Sequence, residues 1–171
     1  MDAEELLRRY AAGDRDFTRV DLSNANLSKT DLQGINLSRA YLDGANLMDA
    51  NLCGACLVGT HFEATEMINT DLRQANLSDS HLSADLSGAN LSGADLNRSH
   101  LYSASLESAL LIGADLSYAK LEAAIFDGAN LSYANLTGST DGNVNNAILY
   151  HTIIWDGSIV SNDHRYKRSP R

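Results

Sequence analysis

The sequence predicts an all-β solenoid, a rod in which one short extended unit is repeated along most of the chain. Leucine or another large apolar residue recurs every five residues, from Phe17 to Leu82 in fourteen units and from Leu86 to Leu136 in eleven. A small residue, usually alanine, stands two positions before most of these large residues. Aromatic residues make up only 6% of the 171 residues and there is one proline, so we expect a narrow core filled by leucine and alanine.

The five-residue period indicates strands rather than helices. An α-helix has 3.6 residues per turn and cannot keep a five-residue stripe on one face. In an extended segment, residues two apart point to the same side, so the small and the large residue of each unit face inward. The other three positions hold mostly Asp, Asn, Ser, Gly and Arg, which face water, and pairs such as Ser-Gly or Asp-Gly favour a turn before the next unit.

The unit Ala-(Asp/Asn)-Leu-Ser-Gly resembles the pentapeptide-repeat family, over residues 15–136. The resemblance implies a right-handed quadrilateral β-helix, in which four units make one square coil, and the right hand agrees with the general rule for parallel crossovers. Twenty-five units then give a little over six coils. With ~4.8 Å between neighbouring strands, the regular rod is expected to be roughly 30 Å long.

The N-terminal residues depart from the repeat and predict a short capping helix over residues 1–14. Asp2 is placed as its N-cap, Glu5 follows three residues later, and Gly13 is a stop signal. A solenoid is stabilised by neighbouring repeats, so its ends need covering. The apolar side of this helix is therefore expected to cover the first coil.

The C-terminal residues also lose the repeat, and residues 137–160 predict a C-terminal cap. The apolar residues Ile153, Ile154, Trp155 and Ile159 are expected to cover the last coil or to contact a second copy of the chain, which would make a homodimer through this end. Residues 161–171 form a basic tail that we predict to be disordered.

One break interrupts the repeat, because only residues 83–85 separate Leu82 from Leu86. We favour a neutral deletion absorbed at a corner of the coil. The alternatives are a junction between two blocks that were once separate, and a kink that a partner recognises.

Composition limits the partners and the location of the protein. The formal net charge of −9 argues against nucleic acid or an anionic membrane surface as a direct partner, since phosphate contacts need Lys and Arg. The first residues lack a secretory signal pattern, and no apolar run approaches the ~18 residues of a membrane span. We therefore predict a cytoplasmic protein. No motif for a cofactor or for catalysis is present, so we expect no cofactor and no enzymatic activity.

Two groups of residues are weak candidates for a metal site. Residues twenty apart lie above one another in a four-sided coil, which stacks Tyr41 and the histidines His61, His81 and His100, with Lys120 next. Such a ladder of imidazoles could bind zinc or nickel or titrate near pH 6. Surface positions of this kind also accept any polar residue, and we favour that interpretation.

A single CxxC sequence, formed by Cys53 and Cys56, is the other weak candidate. A zinc site usually needs a second pair of ligands, and a redox motif needs a helix start beside a βαβ unit. Neither is predicted here, so the two thiols are interpreted as ordinary surface residues without a disulfide framework.

The resemblance also implies a specific function for some family members, which mimic DNA, occupy the DNA-binding saddle of type II topoisomerases and protect these enzymes from quinolones. Residues 15–136 hold fifteen acidic and seven basic residues, whereas ~30 Å of duplex carries roughly 18 negative charges. The rod therefore has less than half the charge density of DNA. A surface that imitates the DNA bound by gyrase is expected on one side of the rod only. The acidic candidates for that contact are Asp43, Glu63, Glu66, Asp85, Glu107 and Asp127.

The sequence accordingly favours a non-enzymatic binding or scaffold protein that contacts another protein through flat, ladder-like faces. Modulation of DNA gyrase by DNA mimicry is the first alternative, and metal binding by the histidines is the second. These hypotheses differ in what they require of the surface: weakly charged ladders, a dense acidic side, or converging imidazole nitrogens.

Overall fold

The computed structural model describes residues 1–140 and 142–160, and most of this part of the chain forms a β-helix. Parallel bridges join residues that are twenty positions apart, as in Asp16↔Asn36 and Asn36↔Cys56, so four five-residue units make one coil. The right hand of the coil stays a prediction. No helix in the described part of the chain combines the length and the hydrophobicity that a bilayer crossing needs.

The coil has four faces, which we number in chain order from the units centred on Phe17, Leu22, Leu27 and Leu32. Each unit has three outward positions, which we name by their place relative to the large core residue. The ladder position directly precedes the core residue, the flank position directly follows it, and the corner position comes next. Ladder residues of one face lie above one another from coil to coil.

Backbone hydrogen bonds join the coils and close the corners. The Leu27 amide donates to the Asn46 carbonyl of the next coil at 2.8 Å, while the Ala50 amide donates to the Leu47 carbonyl at 3.0 Å and closes a turn. Asp49, at the corner position of that turn, has a φ of 58°, as the third residue of a type II turn requires. Such turns favour Gly and Asn, which explains the frequent Gly at corner positions.

The core is a column of leucine and alanine side chains with a few larger and polar members. Phe62 lies fully buried near the middle of the rod. Thr60, Thr65 and Thr70 replace alanine on three successive faces, and each hydroxyl donates to a main-chain carbonyl 23 residues earlier at 2.7 or 2.8 Å. These buried hydroxyls are therefore satisfied, as the low polarity of the core requires.

Helix α1, Ala3–Ala11, covers the N-terminal end of the rod. The Asp2 side chain caps it by accepting a hydrogen bond from the Glu5 amide at 2.8 Å. Leu6 is completely buried in the core cluster. The Tyr10 hydroxyl fastens the other end of the helix by donating to the Gln33 carbonyl at 2.8 Å.

The coil continues beyond residue 136 in an irregular form. The bridges Asn130↔Ile148 and Asn135↔Ile153 are only 18 residues apart, so this last coil is shorter than the others. Strand β1, Thr152–Ile153, then pairs antiparallel with strand β2, Ile159–Val160. The predicted tail at 161–171 lies outside the described residues.

The missing residue at 83–85 falls at the corner between faces 2 and 3. The Ala84 amide donates to the Leu82 carbonyl at 2.8 Å, which closes a turn one residue shorter than the others. The bridge Glu66↔Asp85 spans 19 residues instead of twenty, and all later core residues stay on their faces. The ladders therefore run through the break without a change of register.

Candidate functional site

Most ladder positions carry Asp or Asn because the side chain completes a local turn. In the Asn36 unit, the side-chain oxygen accepts from the Ser38 amide at 3.0 Å and from the Ser38 hydroxyl at 2.7 Å. The same arrangement recurs at Asn90 with Ser92. These polar groups satisfy one another, so the ladder positions that break the pattern are the ones to consider for binding.

The largest such departure is on face 2, where Tyr41, His61, His81, His100 and Lys120 occupy consecutive ladder positions; we call this set the histidine ladder. Neighbouring histidine ring centroids are 4.7 Å apart, and the first two imidazoles are nearly parallel, with an interplanar angle of 6°. The nitrogen lone pairs of parallel stacked rings point the same way and do not converge on one ion at the ~2.0–2.1 Å that zinc requires. Within residues 1–140 and 142–160, no group of three or more His, Cys, Asp or Glu side chains is arranged to hold a metal.

His100 differs electrostatically from an ordinary surface histidine. Partial burial lowers the pKa of its imidazole, and the nearby basic side chains of Lys120 and His81 lower it further, against the opposing effects of Asp79 and Glu122. His100 is therefore disposed to be neutral in the free protein, and a bound anion would favour its protonated form.

The two thiols of the CxxC sequence are free and half-buried on different faces. Cys53 is at a flank position of face 4, and Cys56 is at a ladder position of face 1, where its sulfur lies 3.1 Å from the Ser38 hydroxyl. Cys56 thus takes the place of a polar ladder residue.

The six acidic candidates lie on two adjacent faces, and we call them the acidic side. Asp43 and Glu63 occupy successive flank positions of face 2, where the Asp43 carboxylate accepts from the Glu63 amide at 2.8 Å. On face 3, Glu66 and Asp85 are bridged ladder neighbours. The remaining two, Glu107 and Asp127, are flank residues of adjacent coils on face 3. None of the six forms an ion pair with another described residue.

An exposed apolar cluster covers the C-terminal half of face 4, and we call it the apolar patch. Its side chains are between 39% and 57% exposed: Leu110, Ile112, Tyr133, Ile148 and Tyr150. The two tyrosine rings meet edge to face with centroids 5.5 Å apart. Asn130 and Ser132 of the intervening coil separate Leu110 and Ile112 from Ile148 and Tyr150, while Tyr133 lies at the corner of that coil. Large exposed apolar side chains grouped on one face are typical of an interaction surface.

Face 4 is also weakly charged. The Arg73 guanidinium binds the Asp71 carboxylate at 2.6 Å, and this hydrogen bond lowers the pKa of the Asp71 carboxyl. From residue 90 onward, the ladder, flank and corner positions of this face carry no Asp, Glu, Lys or Arg in the described residues. The surface around the apolar patch is therefore nearly neutral.

The four apolar residues predicted for the C-terminal end have different environments. Ile154 is buried, Ile153 and Trp155 are half-buried, and Ile159 is 67% exposed in β2. Among them, Ile159 offers the most accessible side chain for an end contact.

Sequence reasoning grouped the histidines and the acidic residues but missed the apolar patch. Leu110 and Ile112 were within the regular repeat, but Ile148 and Tyr150 belong to the irregular last coil. The signal that could have found the patch is the appearance of large apolar residues at ladder and flank positions, where Asn and Ser are usual.

The repeat that carries these faces matches a known family. The family model for pentapeptide repeats matches the chain in eight copies, over residues 16–52, 45–83, 83–117 and 104–140. The chain belongs to the pentapeptide-repeat family. No curated protein is significantly similar to the chain in sequence.

Solved structures of this family resemble the chain. HetL, a pentapeptide-repeat protein involved in heterocyst differentiation regulation in the cyanobacterium Nostoc sp. strain PCC 7120, is 28% identical, with 94% of this chain and 100% of HetL covered and a TM-score of 0.37. The pentapeptide-repeat protein alr5209 from Nostoc PCC 7120 is 38% identical, with 61% and 80% covered and a TM-score of 0.45. QnrB1, a plasmid-mediated fluoroquinolone resistance protein, is 21% identical, with 76% and 79% covered and a TM-score of 0.46.

Proposed function

We propose that this pentapeptide-repeat protein is a non-enzymatic, cytoplasmic binding or scaffold protein that contacts another protein through face 4. The apolar patch is the observation that carries this proposal. Its five large side chains lie on a nearly neutral face, whereas ladders elsewhere are occupied mainly by self-satisfied polar groups. A partner with a complementary apolar surface would remove this area from water, at roughly 25 cal/mol per Å².

Replacing Ile112 by aspartate is expected to weaken binding of the protein partner about tenfold or more, because it replaces an apolar contact with a charge that binding would desolvate. Affinity purification with the wild-type protein as bait, followed by measurement of the captured protein's affinity for each variant, checks this. The matched control is Ser92→Asp, which introduces the same charge at the flank position of the preceding coil on the same face but removes no apolar side chain.

Light scattering on the same variants separates a foreign partner from self-association. The proposal is supported if the wild-type protein is a monomer, and if Ile112→Asp loses the captured partner while Ser92→Asp retains it. A wild-type dimer that Ile112→Asp dissociates would instead assign the patch to a second copy of the chain. Capture at the wild-type level by both variants would exclude the apolar patch as the binding surface.

The acidic side favours a second candidate function, modulation of DNA gyrase by partial DNA mimicry. Six carboxylates on two adjacent faces, without ion pairs among the described residues, present a negative strip along the rod. The edge between faces 1 and 2 argues against DNA mimicry around the whole rod, because Arg19, Arg39 and Arg98 interrupt the negative surface there. Mimicry would therefore involve one side only.

A supercoiling assay at two salt concentrations tests the gyrase hypothesis. If the acidic side mimics DNA, micromolar protein should inhibit gyrase, the inhibition should weaken with salt, and Glu66→Lys should reduce it severalfold. Glu4→Lys, which makes the same charge change on α1 outside the acidic side, is the control and should leave inhibition nearly unchanged. Absence of inhibition at tens of micromolar protein would reject this function.

A further inference from the structure

Within residues 1–140 and 142–160, the basic side chains that form no ion pair or hydrogen bond are concentrated on one edge of the rod. Arg8, Arg9 and Arg73 form ion pairs, and the Arg15 guanidinium lies over the Tyr10 ring and donates to carbonyl groups. The side chains of the other basic residues in the described part of the chain form no hydrogen bond or ion pair with a described residue: Arg19, Lys29, Arg39, Arg98 and Lys120. All of these except Lys29 lie on the edge between faces 1 and 2, which we call the cationic edge.

The cationic edge contains a surface cavity of about 560 Å³. Its lining residues are Asp79, Asn97, Arg98, His100, Tyr118 and Lys120. Arg98 and His100 come from one coil, while Tyr118 and Lys120 come from the next coil toward the C-terminus. Two coils thus direct a guanidinium, an imidazole and an ammonium group into one space.

Two of the lining side chains, Asn97 and Tyr118, are held by contacts with residues outside the cavity. The Asn97 side-chain amide donates to the Ser117 carbonyl at 3.0 Å and to the Ser117 hydroxyl at 2.7 Å, which fixes the Asn97 side chain beside the cavity. The Tyr118 ring lies against Gly138, where an added Cβ would be only 2.7 Å from the ring. Gly138 therefore lets Tyr118 form the C-terminal wall of the cavity.

We propose that this cavity is a binding site for a phosphomonoester. Arg and Lys are hydrogen-bond donors only, and a guanidinium matches two phosphate oxygens at once. Arg98, Lys120 and His100 together supply donors for all three terminal oxygens of such a group. Tyr118 offers an aromatic surface for the organic part of the ligand, which distinguishes a phosphomonoester from free inorganic phosphate.

Asp79 defines where the anion lies in the cavity. It is one coil closer to the N-terminus than Arg98, whereas Lys120 is one coil closer to the C-terminus. Repulsion from the Asp79 carboxylate places the phosphate on the Lys120 side of Arg98. Removing this negative charge with Asp79→Asn is therefore expected to tighten binding.

NMR titration of the full chain, followed at the His100 imidazole resonances, tests the site directly. Phenyl phosphate is expected to shift these resonances saturably and to bind more tightly than inorganic phosphate, while phenol alone produces no comparable shift. Arg98→Gln should weaken phenyl phosphate binding about tenfold, the lower range for loss of a hydrogen bond to a charged group. Arg39→Gln, at the same corner position on the same edge but outside the cavity, should change affinity less than twofold.

Two further variants separate the anion from its organic part. Tyr118→Ser should lower affinity for phenyl phosphate toward that of inorganic phosphate and leave inorganic phosphate binding nearly unchanged. Equal affinity for both ligands in the wild-type protein would reject the phosphomonoester in favour of a simple phosphate site. Equal loss with Arg98→Gln and Arg39→Gln, or no saturable shift with either ligand, would overturn the site itself.

The pH dependence of anion binding provides an independent readout. His100 faces Lys120 and His81, which oppose its protonation, and Asp79 and Glu122, which favour it. A dianion stabilises the protonated imidazole, and the pKa of free His100 is lowered, so affinity should rise as pH falls from about 7 to 5, on the acid side of the usual histidine range. Sulfate is the probe here because its own charge stays constant. Ile112→Asp on face 4 should affect none of these results, so this proposal and the proposed protein contact fail separately.

Discussion

Replacing Phe62 by alanine is expected to lower the free energy of unfolding by about 3–5 kcal/mol. The side chain is fully buried near the middle of the rod, between core positions Leu42 and Leu82 of the adjacent coils. Backbone hydrogen bonds fix the spacing of these coils, so they cannot close on the space that the ring leaves. Urea unfolding followed by circular dichroism measures the change.

The neighbouring substitution Glu63→Ala is the control for Phe62→Ala. Glu63 is exposed at the flank position of the same unit, so its loss should change stability by no more than about 0.5 kcal/mol. A loss below about 1 kcal/mol for Phe62→Ala would contradict a close-packed core at this coil, since large cavities in rigid surroundings cost more.

Replacing Leu6 by aspartate is expected to detach α1 from the first coil, lower the free energy of unfolding by about 2–5 kcal/mol and promote self-association. Leu6 is completely buried, and a carboxylate there would have no compensating partner. Undocking the helix relieves that cost but exposes Phe17 and the open end of the coil. An uncovered solenoid end is a surface on which further chains associate.

Urea unfolding and sedimentation velocity together test this second expectation. Ala12→Asp introduces the same charge at an exposed residue after the helix and should keep the protein monomeric or in its wild-type assembly state. If Leu6→Asp matches Ala12→Asp in both measurements, α1 does not protect the end of the rod.

The sequence predicted most of the fold because the five-residue period determines which residues are buried, while the resemblance to the pentapeptide-repeat family implied the four-sided coil. Leu27, Leu47 and their counterparts could be assigned to the core from the five-residue spacing, and alanine two positions earlier followed from strand alternation. The last coil could not be predicted in this way. Its bridges, such as Asn130↔Ile148, span 18 residues and no longer follow the period.

The candidate sites were predicted less completely than the fold. The histidine ladder followed from placing residues twenty apart above one another, and the structure stacks these rings. The cavity on the cationic edge depends in addition on side-chain directions, because Tyr118 turns toward Gly138. Such directions are properties of three-dimensional packing and leave no spacing signal in the sequence.

The twenty-residue coil has a consequence for how genes of this kind can change in length. An in-frame duplication of twenty codons adds one coil, about 4.8 Å, and leaves every later residue on its original face. A duplication of five codons would rotate all later surfaces by a quarter turn and separate the histidines from the residues above them. The short turn at Ala84 shows that a single-codon loss at a corner is compatible with unchanged alignment. Rods that keep the same surface residues on the same faces are therefore expected to differ in length by whole coils. Single residues are expected to be gained or lost only at corners.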